Sequence, residues 1–188
     1  MVLVRHGQTD WSRDGRHTGR TDIALTTEGR ARAAALRAPL EAFHFSLVLS
    51  SPLQRAMETC RLAGFGQQAQ ARDDLMEWDY GDYEGLTTSQ IQDKRRDWSL
   101  WRDGCPGGES AALVGQRVDR MIREARSAVG DVLLVAHGHV LRVLAARWLE
   151  QSPDDGRRYA LDTATLSVLG YEHEDSVIRR WNQPAGPI

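Results

Sequence analysis

The sequence predicts one α/β domain of three layers, with helices on both faces of a central, mostly parallel sheet. Three observations carry that expectation. Val2-Leu3-Val4, Leu47-Val48-Leu49 and Val132-Leu133-Leu134-Val135 are short, unbroken apolar runs, the pattern of strands buried on both faces rather than wetted on one. Segments of helical periodicity lie between them, as alternating strands and helices require. No repeat, low-complexity tract or Pro/Gly/Ser linker divides the 188 residues, so residues 1–188 read as one domain whose last element ends near residue 183. A chain of this length buries about 70% of its unfolded surface, enough for a core without disulfide or metal staples.

Each element has its own signal. After the strand at Val2–Val4, an Ala-rich segment predicts a helix over Thr27–Arg37 that ends before Pro39, since proline cannot continue a helix. Beyond the strand at 47–49, Ser51 is placed to cap a helix, with Pro52 at its first position and Gln54 completing an S-x-x-Q box. Leu53, Ala56, Met57 and Cys60 then recur at i, i+3, i+4 and i+7, and Gly64 is the stop. A longer helix is expected over Glu109–Val129, with Val114, Val118, Met121, Ile122, Ala125 and Val129 on one face and Gly130 ending it. The strand at 132–135 leads into a buried helix over Val140–Leu149, and two late strands are expected at Thr165–Tyr171 and Val177–Trp181.

Composition excludes several classes. Twenty-four basic against 26 acidic side chains leave a net charge of −2, with pI near 6.3, so no sequence-independent nucleic-acid binding is expected. Cys60 and Cys105 stand far apart without a second cysteine near either, unlike a zinc module or a disulfide framework. They predict reduced thiols in a cytoplasmic protein. Three apolar residues precede Arg5-His6, too few for a signal-peptide core, and no run approaches the ~20 apolar residues of a membrane span.

Chemistry is expected where strands end. Arg5-His6-Gly7 follows the first strand and His137-Gly138-His139 follows the strand at 132–135, and open α/β sheets bind ligands in the crevice outside such ends. Arg55 opens the helix after the middle strand, at the end where backbone N–H groups favour an anion. Singly, each has a plainer explanation: a histidine after a strand is more often a hydrogen-bonded structural residue, and an arginine in a first turn a solvated charge. Together Arg5, His6, Arg55 and His137 point to a shared anion site. A metal site on His6, His137 and His139 is disfavoured because the two arginines would repel a cation.

These blocks carry a resemblance. Leu3-Val4-Arg5-His6-Gly7-Gln8-Thr9, Ser50-Ser51-Pro52-Leu53-Gln54-Arg55-Ala56 and Val135-Ala136-His137-Gly138-His139 resemble the three signature blocks of the histidine phosphatase superfamily, phosphoglycerate-mutase-like branch. Gly15–Asp22 (GRHTGRTD), Leu25–Gly29 (LTTEG), Leu75–Gly85 (LMEWDYGDYEG) and Pro106–Ser110 (PGGES) follow in the matching order. The resemblance implies the phosphoglycerate-mutase-like fold and a phosphohistidine formed on His6, then hydrolysed by water. It implies that Arg5 and Arg55 bind the phosphoryl group while their charges lower the pKa of His6, and that His137 donates to a phosphoryl oxygen. Glu77 matches the proton donor to the leaving group, and its place beside Trp78 predicts a desolvated carboxyl.

Substrate contacts are implied for Ser12, Thr18, Gly19, Tyr80, Gly138 and Arg102, the last as part of a cap with Trp98 and Trp101; core packing and a solvated charge are the alternatives for that segment. No metal or cofactor is implied. His139 replaces the Gly commonest after H-G, and Ser12 an Asn. RHGQTDWS, WRDGC and AHGHVLR are most similar to a subgroup of sedoheptulose-bisphosphatase-like enzymes and broad-specificity acid phosphatases, which implies a small phosphate ester, such as a sugar phosphate, as substrate. Phosphoglycerate mutase and a phosphate-binding module without catalysis remain alternatives. A monomer or a homodimer is expected, with Trp148, Trp181 and the late strands as the candidate contact and core packing as the equal alternative for them.

Overall fold

The computed structural model describes residues 1–185, so residues 186–188 of the expected domain lie outside the described residues. Six strands form one sheet in the order β3-β2-β4-β1-β5-β6: β1 Val2–Arg5, β2 Phe45–Ser50, β3 Ala69–Ala71, β4 Asp131–Ala136, β5 Thr165–Glu172 and β6 Asp175–Pro184. Strands β3, β2, β4 and β1 run parallel, and β5 and β6 are added antiparallel. The helices are α1 Asp10–Arg13, α2 Thr27–Ala35, α3 Arg37–Leu40, α4 Gln54–Leu62, α5 Thr88–Lys94, α6 Leu100–Asp103, α7 Ala111–Ser127 and α8 Gly138–Trp148.

The apolar runs feed two cores because successive strand side chains point to opposite faces. Leu3 and Leu134 enter one core with Trp78, Trp98, Ile91 and the apolar face of α7 and α8. Val2, Val4, Leu133 and Val135 enter the other with Leu36, Leu40, Ala56 and Cys60. Helices α2 to α4 thus cover one face and α5 to α8 the other, the three layers that the apolar runs predict.

Several details differ from the sequence reading. Helix α4 begins at Gln54, and its N-cap Leu53 makes no side-chain bond. Ser51 Oγ instead accepts weakly from Leu53 N–H and pairs with His137 Nε2. The capping comes from 32 residues upstream: Asp22 Oδ1 accepts from Gln54 N–H at 2.9 Å, and Asp22 C=O from the Gln54 amide at 2.8 Å. Pro39 does not mark the end of helical chain but sits in α3, within a first turn where its missing N–H has no partner to lose. Helix α7 starts at Ala111 behind its N-cap Ser110 and ends at Ser127. Val129 lies beyond it, 94% exposed, so it does not belong to the apolar face. Strand β3 was not expected, because Ala69-Gln70-Ala71 has no apolar run and is held at the sheet edge by its ladder to β2.

Cys60 and Cys105 are both free and buried. Trp148 is buried, with its indole N–H shared between the Gly170 and Val177 carbonyls, which spends it on packing rather than on a dimer contact. Among the described residues no helix is long and apolar enough to cross a membrane.

Candidate active site

The site is assembled at the carboxyl ends of β1 and β4, which are neighbours in the sheet. His6 leaves β1 with its N–H on the Ala136 carbonyl at 2.9 Å. Its ring Nδ1 lies 2.6 Å from the Gly7 carbonyl. A carbonyl only accepts, so Nδ1 carries the hydrogen, and in the neutral ring Nε2 keeps an in-plane lone pair. Burial, then the charges of Arg55 and Arg5, hold the His6 pKa well below 6.5. The ring is therefore neutral in mildly acidic solution, as the two arginines predict.

Backbone contact sets this position. A Cβ on Gly7 would lie 2.4 Å from the Gly29 carbonyl oxygen, and one on Gly29 would lie 2.1 Å from that of Gln8. The N-terminus of α2 therefore lies directly against residues 6–8. That contact is the physical content of the LTTEG block, which the sequence supplies without explaining.

Arg5 and Arg55 differ in what they offer. The Arg5 guanidinium donates through Nη1 to the Leu161 carbonyl, while its buried Nε has no partner, the one such side-chain atom among the described residues. An unmet donor beside a neutral nucleophile suits an anionic oxygen. Arg55 is wholly buried and spends four N–H groups on the protein, on the carbonyls of Thr18, Gly19 and Thr21 and on His137 Nδ1 at 3.1 Å.

Because His137 accepts at Nδ1, its neutral ring carries the hydrogen on Nε2 and donates it to Ser51 Oγ at 2.7 Å. The His6 and His137 ring centroids are 5.0 Å apart. Neither Arg55 nor His137 lines the cleft in front of His6. Both are held by protein partners beside the nucleophile, and the His137 Nε2–H is the hydrogen that could turn from Ser51 to a ligand oxygen.

Glu77 lines the cleft and is 5% exposed. Oε1 accepts from the Trp78 and Val140 N–H groups and Oε2 from that of His139, at 2.9–3.0 Å. Two of those donors belong to the first turn of α8, whose own N-cap His137 offers no side-chain bond. Glu77 thus caps α8 from another segment. Glu77 is buried beside Trp78, and three amide donors hold its carboxyl.

The model of the histidine phosphatase superfamily, branch 1, matches residues 1–184. The chain belongs to that family. Among its relatives, an acid phosphatase of Mycobacterium tuberculosis is 41% identical over 177 residues, 92% of this chain and 87% of that protein. Sedoheptulose 1,7-bisphosphatase of Saccharomyces cerevisiae is 36% identical over 181 residues, 78% of this chain and 66% of that one. The solved structure of an open-reading-frame product of M. tuberculosis superposes with a TM-score of 0.94 at 39% identity, covering 98% of this chain and 97% of that one. The fold is accordingly the phosphoglycerate-mutase-like one, and the protein is a histidine phosphatase.

Within this histidine phosphatase the cleft encloses about 270 Å³. Ser12, Thr18, Tyr80 and Gly138 line it, together with Arg16, His17, Thr88, His139, Arg142 and Leu161, none of which was given a substrate contact from sequence. His17 lay inside the GRHTGRTD block and Arg142 inside AHGHVLR, so the signal was present without a reason to choose those positions. Tyr80 O–H and His139 Nδ1 are 2.6 Å apart, and His17 packs at a tilt against Tyr80 with ring centroids at 4.7 Å. Burial lowers the pKa of His17 to about 4 and that of His139 well below 6.5. These three rings make an aromatic stretch of the lining, flanked by Arg16 and Arg142.

Two expected contacts fall elsewhere. Gly19 is outside the cleft: its N–H donates to Glu84, its carbonyl accepts from Arg55, and a Cβ there would meet the Trp78 carbonyl at 2.6 Å. Its close approach is to protein. Arg102 is exposed, paired with Asp103 at 2.9 Å, and borders a separate surface hollow. Trp98 is a core residue whose indole N–H reaches Gly104 C=O. Trp101 packs edge-on to Trp78 and His139 under the guanidinium of Arg142. A larger hollow of about 540 Å³ lies between α2 and α4, but it offers no histidine and no unmet buried donor. Chemistry, not size, selects the cleft.

Proposed function

We propose that this histidine phosphatase hydrolyses phosphomonoesters of small metabolites, sugar phosphates among them, through a phosphohistidine on His6. The observation that carries the reading is the His6 Nδ1 contact with Gly7 C=O, which leaves Nε2 unprotonated on a ring that lines the cleft, free to serve as the nucleophile. Nε2 attacks phosphorus, the N–P bond forms and the ester P–O bond breaks. Glu77, entering in its acid form, gives its proton to the departing alkoxide; Oε2 accepts only one amide N–H and keeps a lone pair for that proton. Water then attacks the phosphohistidine, gives its proton to Glu77 and releases inorganic phosphate. The nucleophile's lone pair is restored.

Arg5 Nε is the donor for a phosphoryl oxygen, and Arg55 adds positive charge through space while fixing the His137 ring. His137 stabilises the phosphoryl group by moving its Nε2–H from Ser51 to an oxygen. Fixed positive groups in a buried site do what a metal does in many phosphoryl-transfer enzymes, so no metal is needed.

The test is turnover with labelled phosphate donor in chelator-treated buffer, quenched in alkali. Wild type should show a base-stable, acid-labile label on His6, and His6→Ala neither label nor turnover. Equal rates for the two proteins would reject the nucleophile. A panel of sugar mono- and bisphosphates, phosphoglycerates and nucleotides ranked by kcat/KM identifies the substrate class. Isomerisation of 3-phosphoglycerate with little free phosphate would replace hydrolysis by transfer to a bound acceptor.

A further inference from the structure

Arg117 is the anomaly of α7. It sits at i+3 from Val114 and i−1 from Val118, on the buried stripe of the helix, and is only 6% exposed. A buried guanidinium is costly unless its donors are all met. All five are. Nε donates to Glu109 Oε1 at 2.8 Å and Nη2 to Glu109 Oε2 at 3.0 Å, while Nη1 reaches the carbonyls of Asp74 and Met76 at 2.8 and 2.6 Å, and Nη2 also reaches that of Glu77 at 3.1 Å.

Glu109 completes the clamp. Its Oε2 accepts from Asp79 N–H at 2.8 Å, its carbonyl from the Trp78 indole at 2.9 Å, and its N–H donates to Asp79 C=O at 2.9 Å. Residues 77–80 belong to no helix or strand, so no ladder holds their backbone. The planar fork of Arg117 and the carboxylate of Glu109 take that role, a task a point-charge ammonium does not match.

We propose that Arg117, with Glu109, is the positioning pair that holds Glu77 at the leaving-group side of the cleft for proton transfer. The inference rests on Glu77 acting as the proton donor. Arg117 touches no reacting atom and acts through the 74–79 backbone. Losing several of its five bonds in Arg117→Lys lets that backbone shift, and a displacement on the order of 1 Å costs about 10²-fold in a positioned step.

The experiment compares kcat/KM for an alkyl ester, glycerol phosphate, with that for p-nitrophenyl phosphate, whose leaving group departs as a stable anion. Wild type, Glu77→Gln, Arg117→Lys and the double variant are measured, with inhibition by inorganic phosphate as a binding control. Arg117→Lys should lower the alkyl-to-aryl ratio at least about tenfold without weakening phosphate inhibition. In the Glu77→Gln background the same substitution should change the alkyl rate by less than about twofold.

An unchanged ratio in Arg117→Lys, while Glu77→Gln lowers it, overturns the positioning role and leaves the proton donor standing. So does a further loss in the double variant, which marks a general structural role. A ratio unchanged by Glu77→Gln overturns both. Should Arg117→Lys not fold, Glu109→Gln keeps the packing and carries the same expectation and the same refutation.

Discussion

Replacing Glu77 by Gln separates what its carboxyl does for α8 from what it does for the reaction. The amide oxygen can take the place of Oε1 and keep the bonds from Trp78 and Val140 N–H. The amide nitrogen then faces the His139 N–H, a donor against a donor, where Oε2 accepted at 2.9 Å. The reverse orientation strands two donors instead of one, so the first is adopted. One buried N–H left unpaired costs about 1–3 kcal/mol, which for a chain of this size lowers Tm by several degrees at about 2–4 °C per kcal/mol. Catalysis loses more: a positioned general acid contributes about 10²–10⁴-fold. That loss falls on leaving groups that need a proton.

The assay is therefore paired, thermal unfolding of the purified variant beside kcat/KM for glycerol phosphate and for p-nitrophenyl phosphate. Glycerol phosphate should fall by about 10²-fold or more, p-nitrophenyl phosphate by much less, and Tm by several degrees. An unchanged Tm would refute the anchoring of the carboxyl on α8, and equal losses on the two esters would refute the proton-donor role.

Other expectations follow from the same geometry. Gly29→Ala places a methyl group 2.1 Å from the Gln8 carbonyl; overpacking of this kind costs about 1–3 kcal/mol and pushes residues 6–8, so Tm and kcat should both fall, and unchanged values would contradict the close approach. The low pKa of His6 keeps its nucleophilic form as the solution is acidified, so the acid limb of kcat/KM for p-nitrophenyl phosphate should lie well below pH 6.5. A limb at 6.5 or above would contradict it. Stability moves the opposite way: His17 is neutral in the native state down to a pKa of about 4, whereas in the unfolded chain it takes a proton near 6.5. Its contribution, up to about 3 kcal/mol, is present above 6.5 and lost as pH falls toward 4. Urea unfolding at neutral and acidic pH should show this loss reduced in His17→Asn; equal losses in the two proteins would refute it.

The two His-Gly turns were legible because each directly follows an apolar run, and such runs become neighbouring parallel strands whose ends open on one crevice. The helix after Pro52 was legible from its periodicity but not from its cap, because Asp22 reaches Gln54 across 32 residues and no local pattern announces a distant carboxylate. Strand β3 was invisible for a related reason: Gln70 and its alanine neighbours become a strand only because β2 presents an open ladder. Arg102 stayed open between a cap and a solvated charge because a charge next to two tryptophans reads the same whether it faces a cleft or Asp103.

By itself the sequence determined the three layers and the strand-end histidines, which rest on local spacing and hydrophobic period, and its motif blocks carried the resemblance to the family. Only the tertiary structure decided which hydrogen bonds those residues make. It tied Arg55 to His137 and to the carbonyls of Thr18, Gly19 and Thr21, seated Glu77 on the amides of α8, and set Arg117 in an apolar stripe to grip the segment that carries it. Each of those outcomes depends on donors and acceptors supplied from other elements. A hydrogen bond is specified by where two groups meet, and chain order alone does not say that.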